Sequence, residues 1–204
     1  SHYAQFWKLL AQSELAAKSR NWDEAFRLRN AAADLIPNTS GPNERARQQT
    51  AARELENRLN KVMQYTTQMD RYKSALAMNR YDEAVEILQS VKEQGLAPSN
   101  EEIDTKIAEI QNRKTEAESN RLLVQGDEQL RQRNFDDAER FYRQARSVLD
   151  TPAVKERVGR VTNIKEFIRL RGLAEGEASN QKWDAAAAYY EQALKLQLSP
   201  EDSA

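Results

Sequence analysis

The chain has 204 residues, 31% charged and 39% hydrophobic, and its 31 Lys and Arg balance 32 Asp and Glu. Without a basic excess a nucleic-acid partner is disfavoured, and we expect none. With no cysteine, and with His2 as the one histidine, thiolate and imidazole metal sites are excluded. No apolar run approaches the roughly 18 to 20 residues of a membrane helix, so we expect a soluble segment without direct membrane insertion.

One short phrase of aromatic, acidic and small residues occurs four times. Its copies are Trp22-Asp23-Glu24-Ala25, Tyr81-Asp82-Glu83-Ala84, Phe135-Asp136-Asp137-Ala138 and Trp183-Asp184-Ala185-Ala186. A proline follows each copy, at Pro42, Pro98, Pro152 and Pro200. The aromatics are 59, 54 and 48 residues apart and the prolines 56, 54 and 48. This agreement predicts tandem helical units, about 5–42, 43–98, 99–152 and 153–200, in one elongated array over residues 1–204.

Each unit is predicted to contain two helices, one before and one after the aromatic. Apolar residues at helical spacing before the aromatic predict a first helix, A, and the acids after the aromatic favour the first turn of a second helix, B. Breakers such as Gly95 and Pro152 end B after about 13 to 15 residues. The predicted inner face of B comprises Ala25, Leu28, Ala32 and Leu35; Ala84, Leu88 and Val91; Ala138, Tyr142, Ala145 and Val148; and Ala186, Tyr190, Ala193 and Leu196.

These positions resemble the tetratricopeptide repeat, a helical hairpin of 34 residues with a small residue in helix A, an aromatic at the turn, spaced alanines in helix B and a closing proline. The fourth unit matches best, and the repeat-defining residues of all four are Trp22, Ala25, Tyr81, Ala84, Phe135, Ala138, Trp183 and Ala186. Two departures are Arg29, where the family has a large apolar residue, and Tyr72, where it has a small one. The resemblance implies an all-α fold that binds other proteins.

The units are longer than the family's, which predicts additional helix. Residues 43–79 contain no Gly or Pro, and an apolar stripe runs through them at Ala52, Leu55, Leu59, Val62, Thr66, Met69, Tyr72 and Leu76. We expect an added helix C that begins after each proline and continues into the next helix A, giving helices of about 30 to 36 residues. Short three-helix bundles joined by long helices would form an elongated solenoid or rod.

In tetratricopeptide arrays the inner face of helix A lines a ligand groove. The resemblance places Leu10, Met69, Leu123 and Arg171 at one such position. Because three of the four are apolar, we expect helix C to cover this face. Charged side chains near it are candidate partner contacts: Glu14, Lys18, Lys73, Asp127, Arg131, Arg171 and Glu175.

No catalytic constellation and no cofactor motif stands out, so we expect neither an enzyme nor a cofactor. The leading hypothesis is a non-catalytic scaffold for protein partners, and a homo-oligomer is a further candidate. The alternative is a spectrin-like spacer rod that holds flanking domains apart. The final Leu198-Ser199-Pro200-Glu201 favours the start of another helix, so we expect a fragment of a longer protein. Asn and Gln total 29 residues, as in bacterial envelope proteins, which favours a periplasmic over a cytoplasmic location.

Overall fold

The computed structural model of the chain describes residues 2–39, 41–196, 198–199 and 202. All regular secondary structure in these residues is helical, so the predicted all-α class is confirmed. The helices in chain order are α1 (His2–Lys18), α2 (Trp22–Ala33), a short 3₁₀ helix (Ile36–Asn38), α3 (Pro42–Ala77), α4 (Tyr81–Glu93), α5 (Asn100–Arg131), α6 (Phe135–Val148), α7 (Pro152–Ser179) and α8 (Trp183–Leu194).

The chain divides into two compact units, Ser1–Ile110 and Gln111–Ala204. The division falls within α5, which contributes its first part to the first unit and the remainder to the second. Each unit is described by itself.

Long and short helices alternate along the chain. The long helices α3, α5 and α7 have 36, 32 and 28 residues, and the four short helices have 12 to 14. The prediction that helix C continues into the next helix A is confirmed, although α7 is slightly shorter than expected. Pro42 and Pro152 are the first residues of α3 and α7, where the missing N–H has no helical partner to lose. Pro200 lies outside the described residues.

The turn before each short helix has the same backbone geometry. The second residue before each phrase aromatic is left-handed, with φ between 56° and 62° at Arg20, Asn79, Arg133 and Gln181. At the third turn, Arg133 N donates to Leu130 O at 3.0 Å and Asn134 N to Gln129 O at 2.9 Å. This is the Schellman pattern, which satisfies the last carbonyls of the long helix. Each hairpin turn therefore closes without glycine.

Among the described residues, buried apolar side chains form three clusters, two in the first unit and one in the second. Each cluster combines a short helix with the helices before and after it in the chain. The buried members include Phe6, Ala25, Leu55 and Leu59; Met69, Leu88, Ile103 and Ile110; and Leu122, Tyr142, Val154 and Val161. Burial of one large aliphatic side chain contributes about 1.5 to 3 kcal/mol. Most of the helical stability therefore lies in these clusters.

Two positions predicted to be internal, Val62 and Tyr190, are exposed instead. Val62 lies on α3 between the first and second clusters and is 49% exposed. Leu173 and Tyr190 are 39% and 42% exposed, on the hairpin of α7 and α8. In the part of the chain that the structure describes, no further helix packs on that side of the hairpin. Small side chains of the same hairpin, Ala174, Ala186 and Ala193, are buried as predicted.

Candidate partner-binding surfaces

The first part of each long helix covers the preceding hairpin. We call residues 42–60 of α3, 100–110 of α5 and 152–164 of α7 the covering segments. Each contains the pattern apolar-x-x-basic-apolar, at Leu55, Arg58 and Leu59; at Ile103, Lys106 and Ile107; and at Val154, Arg157 and Val158. The first apolar residue of each is buried in a cluster. The pattern is visible in the sequence once the three segments are aligned, and the sequence analysis missed it.

The basic residue of this pattern binds an acid on the first helix of the covered hairpin in two of three cases. Arg58 Nη2 lies 2.8 Å from Glu14 Oε1, and Arg157 Nε lies 3.0 Å from Asp127 Oδ1. The hydrogen bond to Asp127 raises the pKa of Arg157 further. In the second hairpin the position equivalent to Glu14 and Asp127 is occupied by Lys73. Lys106 instead binds Glu102 of its own helix, 2.6 Å away. Glu14 and Asp127 therefore have structural partners.

Asp127 also accepts a hydrogen bond from a fully buried tyrosine. Tyr142 Oη donates to Asp127 Oδ1 at 2.7 Å, and its ring packs against the backbone of α5 at Gly126. A Cβ atom at Gly126 would lie 2.6 Å from Cδ1 of that ring. Burial, and then the hydrogen bond to Asp127, raise the pKa of Tyr142. Tyr142, Asp127 and Arg157 thus connect α6, α5 and α7.

A groove of about 660 Å³ lies beside this network in the second unit. We call it the arginine groove because four guanidinium groups line it. Its lining residues are Val124, Asp127, Leu130, Arg131, Arg133, Phe135, Glu156, Arg157, Arg160, Ile164 and Asp202. The groove therefore combines apolar side chains with cations and carboxylates, as ligand-binding sites do.

Three of the four arginines have a carboxylate partner. Arg157 binds Asp127, Arg131 binds Glu128, and Arg160 holds Asp202 with contacts of 2.7 and 2.8 Å. The hydrogen bond from Arg160 lowers the pKa of Asp202. Arg133 makes no ion pair or side-chain hydrogen bond with any described residue. Its guanidinium is the cation in the groove that can accept a new acidic partner.

A smaller groove lies between α1 and α3 in the first unit. Its volume is about 220 Å³, and Trp7, Leu10, Glu14, Leu55 and Arg58 are among its lining residues. Leu10 is buried, as are Met69 and Leu123 at the corresponding positions of the next two units. This face of helix A is therefore buried at these three positions, whereas Arg171, at the fourth, is exposed.

The remaining predicted contact residues lie apart from the grooves. Lys18 and Lys73 are exposed and make no ion pair with other residues that the structure describes. Arg171 and Glu175 are exposed on α7, with 3.6 Å between Arg171 Nε and Glu175 Oε1. The structure therefore brings Asp127 and Arg131 together in the arginine groove and places Glu14 in the smaller one.

The residues of the repeated phrase pack the hairpins. The alanines Ala25, Ala84, Ala138 and Ala186 are all buried. Their aromatic neighbours are half-buried in the first three copies, whereas Trp183 is 66% exposed. These residues therefore set the approach of the helices, and only Trp183 presents a large free surface.

No group of three or more His, Asp or Glu side chains is placed to hold a metal among the described residues. None of the helices described is both long and apolar enough to cross a bilayer. Comparisons with protein-family models, with curated proteins and with solved structures found no match. The chemistry available in the grooves is charge-assisted hydrogen bonding beside apolar surface.

Proposed function

We propose that the chain is a non-catalytic scaffold for protein–protein interaction, built from tetratricopeptide-like hairpins of expanded length. The observation that carries this proposal is the arginine groove, where Arg133 has no ion-pair partner among the described residues and lies beside Leu130 and Phe135. A segment of a partner protein with an acidic residue next to an apolar one complements both features. Charge-assisted hydrogen bonds to a guanidinium are about twice as strong as neutral ones.

The pairing inside the groove supports this choice of partner chemistry. Asp127 and Asp202 are already neutralised by Arg157 and Arg160. A positively charged ligand at either of these carboxylates would have to break an existing ion pair, whereas a carboxylate meets Arg133 directly. Glu156 is the third carboxylate of the lining, and the four guanidinium groups exceed the three carboxylates by one charge. The exposed Arg131 adds a second guanidinium nearby.

Charge reversal of Arg133 tests the proposal. The full chain and its Arg133→Glu variant capture proteins from a lysate of cells that express the protein, and the captured proteins are quantified by mass spectrometry. We expect a discrete set to fall at least about tenfold with Arg133→Glu, equivalent to about 1.4 kcal/mol. The matched control is Arg113→Glu, an exposed arginine of the same unit on α5.

Circular dichroism of each variant checks that helicity is unchanged. Charge reversals of Lys18, Lys73 and Arg131 extend the scan to the other predicted contacts. If the captured set is the same for every variant, the groove does not bind partners and the scaffold proposal is wrong.

The second candidate is a spacer that holds flanking domains apart. It is favoured by α3, one helix of 36 residues that supplies buried side chains to two separate clusters. Small-angle scattering tests it, because a compact domain of this length has a radius of gyration near ~17 Å. A clearly larger value supports the spacer, and a value near ~17 Å contradicts it.

A further inference from the structure

A further groove in the second unit lies beside the arginine groove. Its volume is about 500 Å³, and it is lined by the turn between α5 and α6, the start of α6 and part of α7. We call it the turn groove. Arg133 and Phe135 line both grooves, and Ile168 and Arg169 of α7 line the turn groove. Arg133, which has no ion-pair partner among the described residues, therefore shares the turn groove with the guanidinium group of Arg169.

The first hairpin shows what an arginine in this turn binds when a carboxylate is within reach. Arg20 is the equivalent of Arg133, because each is the left-handed residue two positions before the phrase aromatic. Arg20 Nη1 donates to Asp70 Oδ2 at 3.1 Å and to Asp70 Oδ1 at 3.3 Å. Asp70 lies on α3, fifteen residues after Leu55 of the covering segment. The helix that covers the first hairpin thus supplies the carboxylate.

In the third hairpin a cation replaces this carboxylate. The covering helix there is α7, and Val154 is its equivalent of Leu55. The residue fifteen positions after Val154 is Arg169. Arg169 Nη2 lies 2.7 Å from Oε1 of Glu166 in its own helix, and the two side chains are 58% and 40% exposed. The turn arginine of the third hairpin therefore faces a second arginine where the first hairpin has an aspartate.

The carboxylates that line the turn groove already have cationic partners. Lys165 Nζ lies 2.6 Å from Asp136 Oδ1, and Arg140 Nη2 lies 3.0 Å from Asp137 Oδ1. The lining contains three cations and these two carboxylates. It therefore has an excess of one positive charge, which a single carboxylate from outside the groove would balance.

Packing of a helix on the fourth hairpin, in the manner of the other three, leaves this site accessible. Arg169 is the fourteenth residue before the phrase aromatic of that hairpin, and its equivalents in the first three hairpins are Lys8, Thr67 and Arg121. All three are exposed, although a covering segment packs on each of those hairpins. The face of α7 that carries Arg169 is therefore distinct from the face that a covering segment contacts.

We propose that the turn groove binds the carboxylate of an aspartate or glutamate of a partner protein, which pairs with Arg133 and Arg169 together. This carboxylate takes the place of the one that binds the turn arginine in the first hairpin. Phe135 and the 40% exposed Ile168 offer apolar surface beside it, so the partner segment carries an apolar residue next to the acidic one. The proposal rests on the scaffold function and adds a second arginine to the contact at Arg133.

The capped tripeptide acetyl-Leu-Asp-Leu-amide is the probe, because it has one carboxylate between two apolar side chains. Its binding to the full chain is followed by NMR through the Nε–Hε signals of the arginines, which are assigned with the variants Arg133→Lys and Arg169→Lys. We expect saturable shifts of both signals. The same peptide with asparagine in place of aspartate should bind at least about tenfold more weakly, because the charge-assisted hydrogen bonds are lost.

Arg169→Asp is the decisive variant, because it places a carboxylate where the first hairpin has one. That carboxylate should pair with Arg133 within the chain, so the peptide should bind at least about tenfold more weakly. The Arg133 signal of the free variant should lie near its peptide-bound position in the wild type. Arg169→Asn removes the second guanidinium without supplying a carboxylate and should weaken binding about threefold, as for one exposed ion pair.

Arg121→Asp is the matched control. Arg121 lies on α5 of the same unit and makes the same kind of pair within its helix, with Nη2 2.7 Å from Glu118 Oε1. This variant should change the affinity by no more than about twofold. Circular dichroism of each variant checks that helicity is unchanged.

The outcomes separate this proposal from the scaffold function. Absence of peptide binding, or equal binding to Arg169→Asp and Arg121→Asp, would overturn the proposal. Tighter binding of inorganic phosphate than of the peptide would also overturn it, because the groove would then select a phosphate group. If Arg133→Glu reduces the captured proteins and Arg169→Asp does not, the scaffold function stands and the turn groove is not the contact. Peptide binding without any effect of Arg133→Glu on capture contradicts the scaffold function alone.

Discussion

Gly126 lies where the ring of Tyr142 packs against the backbone of α5. The ninth residue before each phrase aromatic is Ser13, Tyr72, Gly126 or Ala174. At the first of these, Ser13 Oγ donates to Ala25 O of the adjacent helix at 2.6 Å. At the third of these positions, Gly126, only a hydrogen atom fits between the helix backbone and the ring of Tyr142.

Replacement of Gly126 by alanine should destabilise the second unit. Alanine is normally favoured over glycine within a helix by about 0.5 to 1 kcal/mol. Here the added Cβ overlaps a fully buried ring, and overpacking of this kind costs about 1 to 3 kcal/mol. We expect a net loss in the free energy of unfolding, measured by urea denaturation.

Gly159→Ala is the matched control. Gly159 also lies within a helix of the second unit, and a Cβ there meets no atom within 4 Å. This variant should gain up to about 1 kcal/mol. A stability gain for Gly126→Ala as large as that for Gly159→Ala would contradict the close packing of Tyr142.

Tyr142 should make stability depend on alkaline pH. Its pKa is raised in the folded state, so folding favours the neutral phenol. The stability it contributes is present below the unfolded pKa of about 10 and is lost as the pH rises above that value. Tyr142→Phe removes the titrating group and a hydrogen bond worth about 1 kcal/mol.

The difference in unfolding free energy between wild type and Tyr142→Phe should therefore shrink above about pH 10. Denaturation of both proteins at neutral and alkaline pH measures it. A difference that stays constant across this range would show that Tyr142 does not titrate with folding.

At the scale of the helices, α3 joins two clusters of the first unit. Its buried residues Leu55 and Leu59 belong to the first cluster and Met69 and Ala75 to the second, with the exposed Val62 between them. The continuity of this helix could be predicted, because its sequence lacks internal Gly and Pro and keeps one apolar stripe. The exposure of Val62 could not, because periodicity does not show where one cluster ends.

Val62→Pro should weaken the coupling between these clusters. Proline within a helix removes a backbone hydrogen bond and costs about 3 kcal/mol. In a Trp183→Phe background, fluorescence of Trp7 and Trp22 reports the first cluster alone. The urea midpoint of Val62→Pro should fall well below that of Val62→Ala. The alanine variant changes the exposed surface without breaking the helix. Equal midpoints would indicate that the clusters are stabilised independently of α3.

At the scale of the whole chain, the sequence predicted helices better than contacts. Repetition and proline spacing predicted the eight α-helices of the described residues and the turns between them, because both depend on local backbone preferences. The pairing of Glu14 with Arg58, and of Asp127 with Arg157 and Tyr142, depends on side chains 15 to 44 residues apart. For that reason Asp127 was selected as a partner contact although it has structural partners, and Arg133 was overlooked because it lies in a turn.

Photo-crosslinking at Arg133 tests the scaffold account most directly. A photoreactive residue is placed at position 133 in the arginine groove and, as a control, at the exposed position 113 of the same unit. We predict a discrete crosslinked protein at position 133 that is absent at 113, in cells that express the full chain. No adduct at 133, or the same adducts at both positions, would contradict the claim that this groove binds a protein partner.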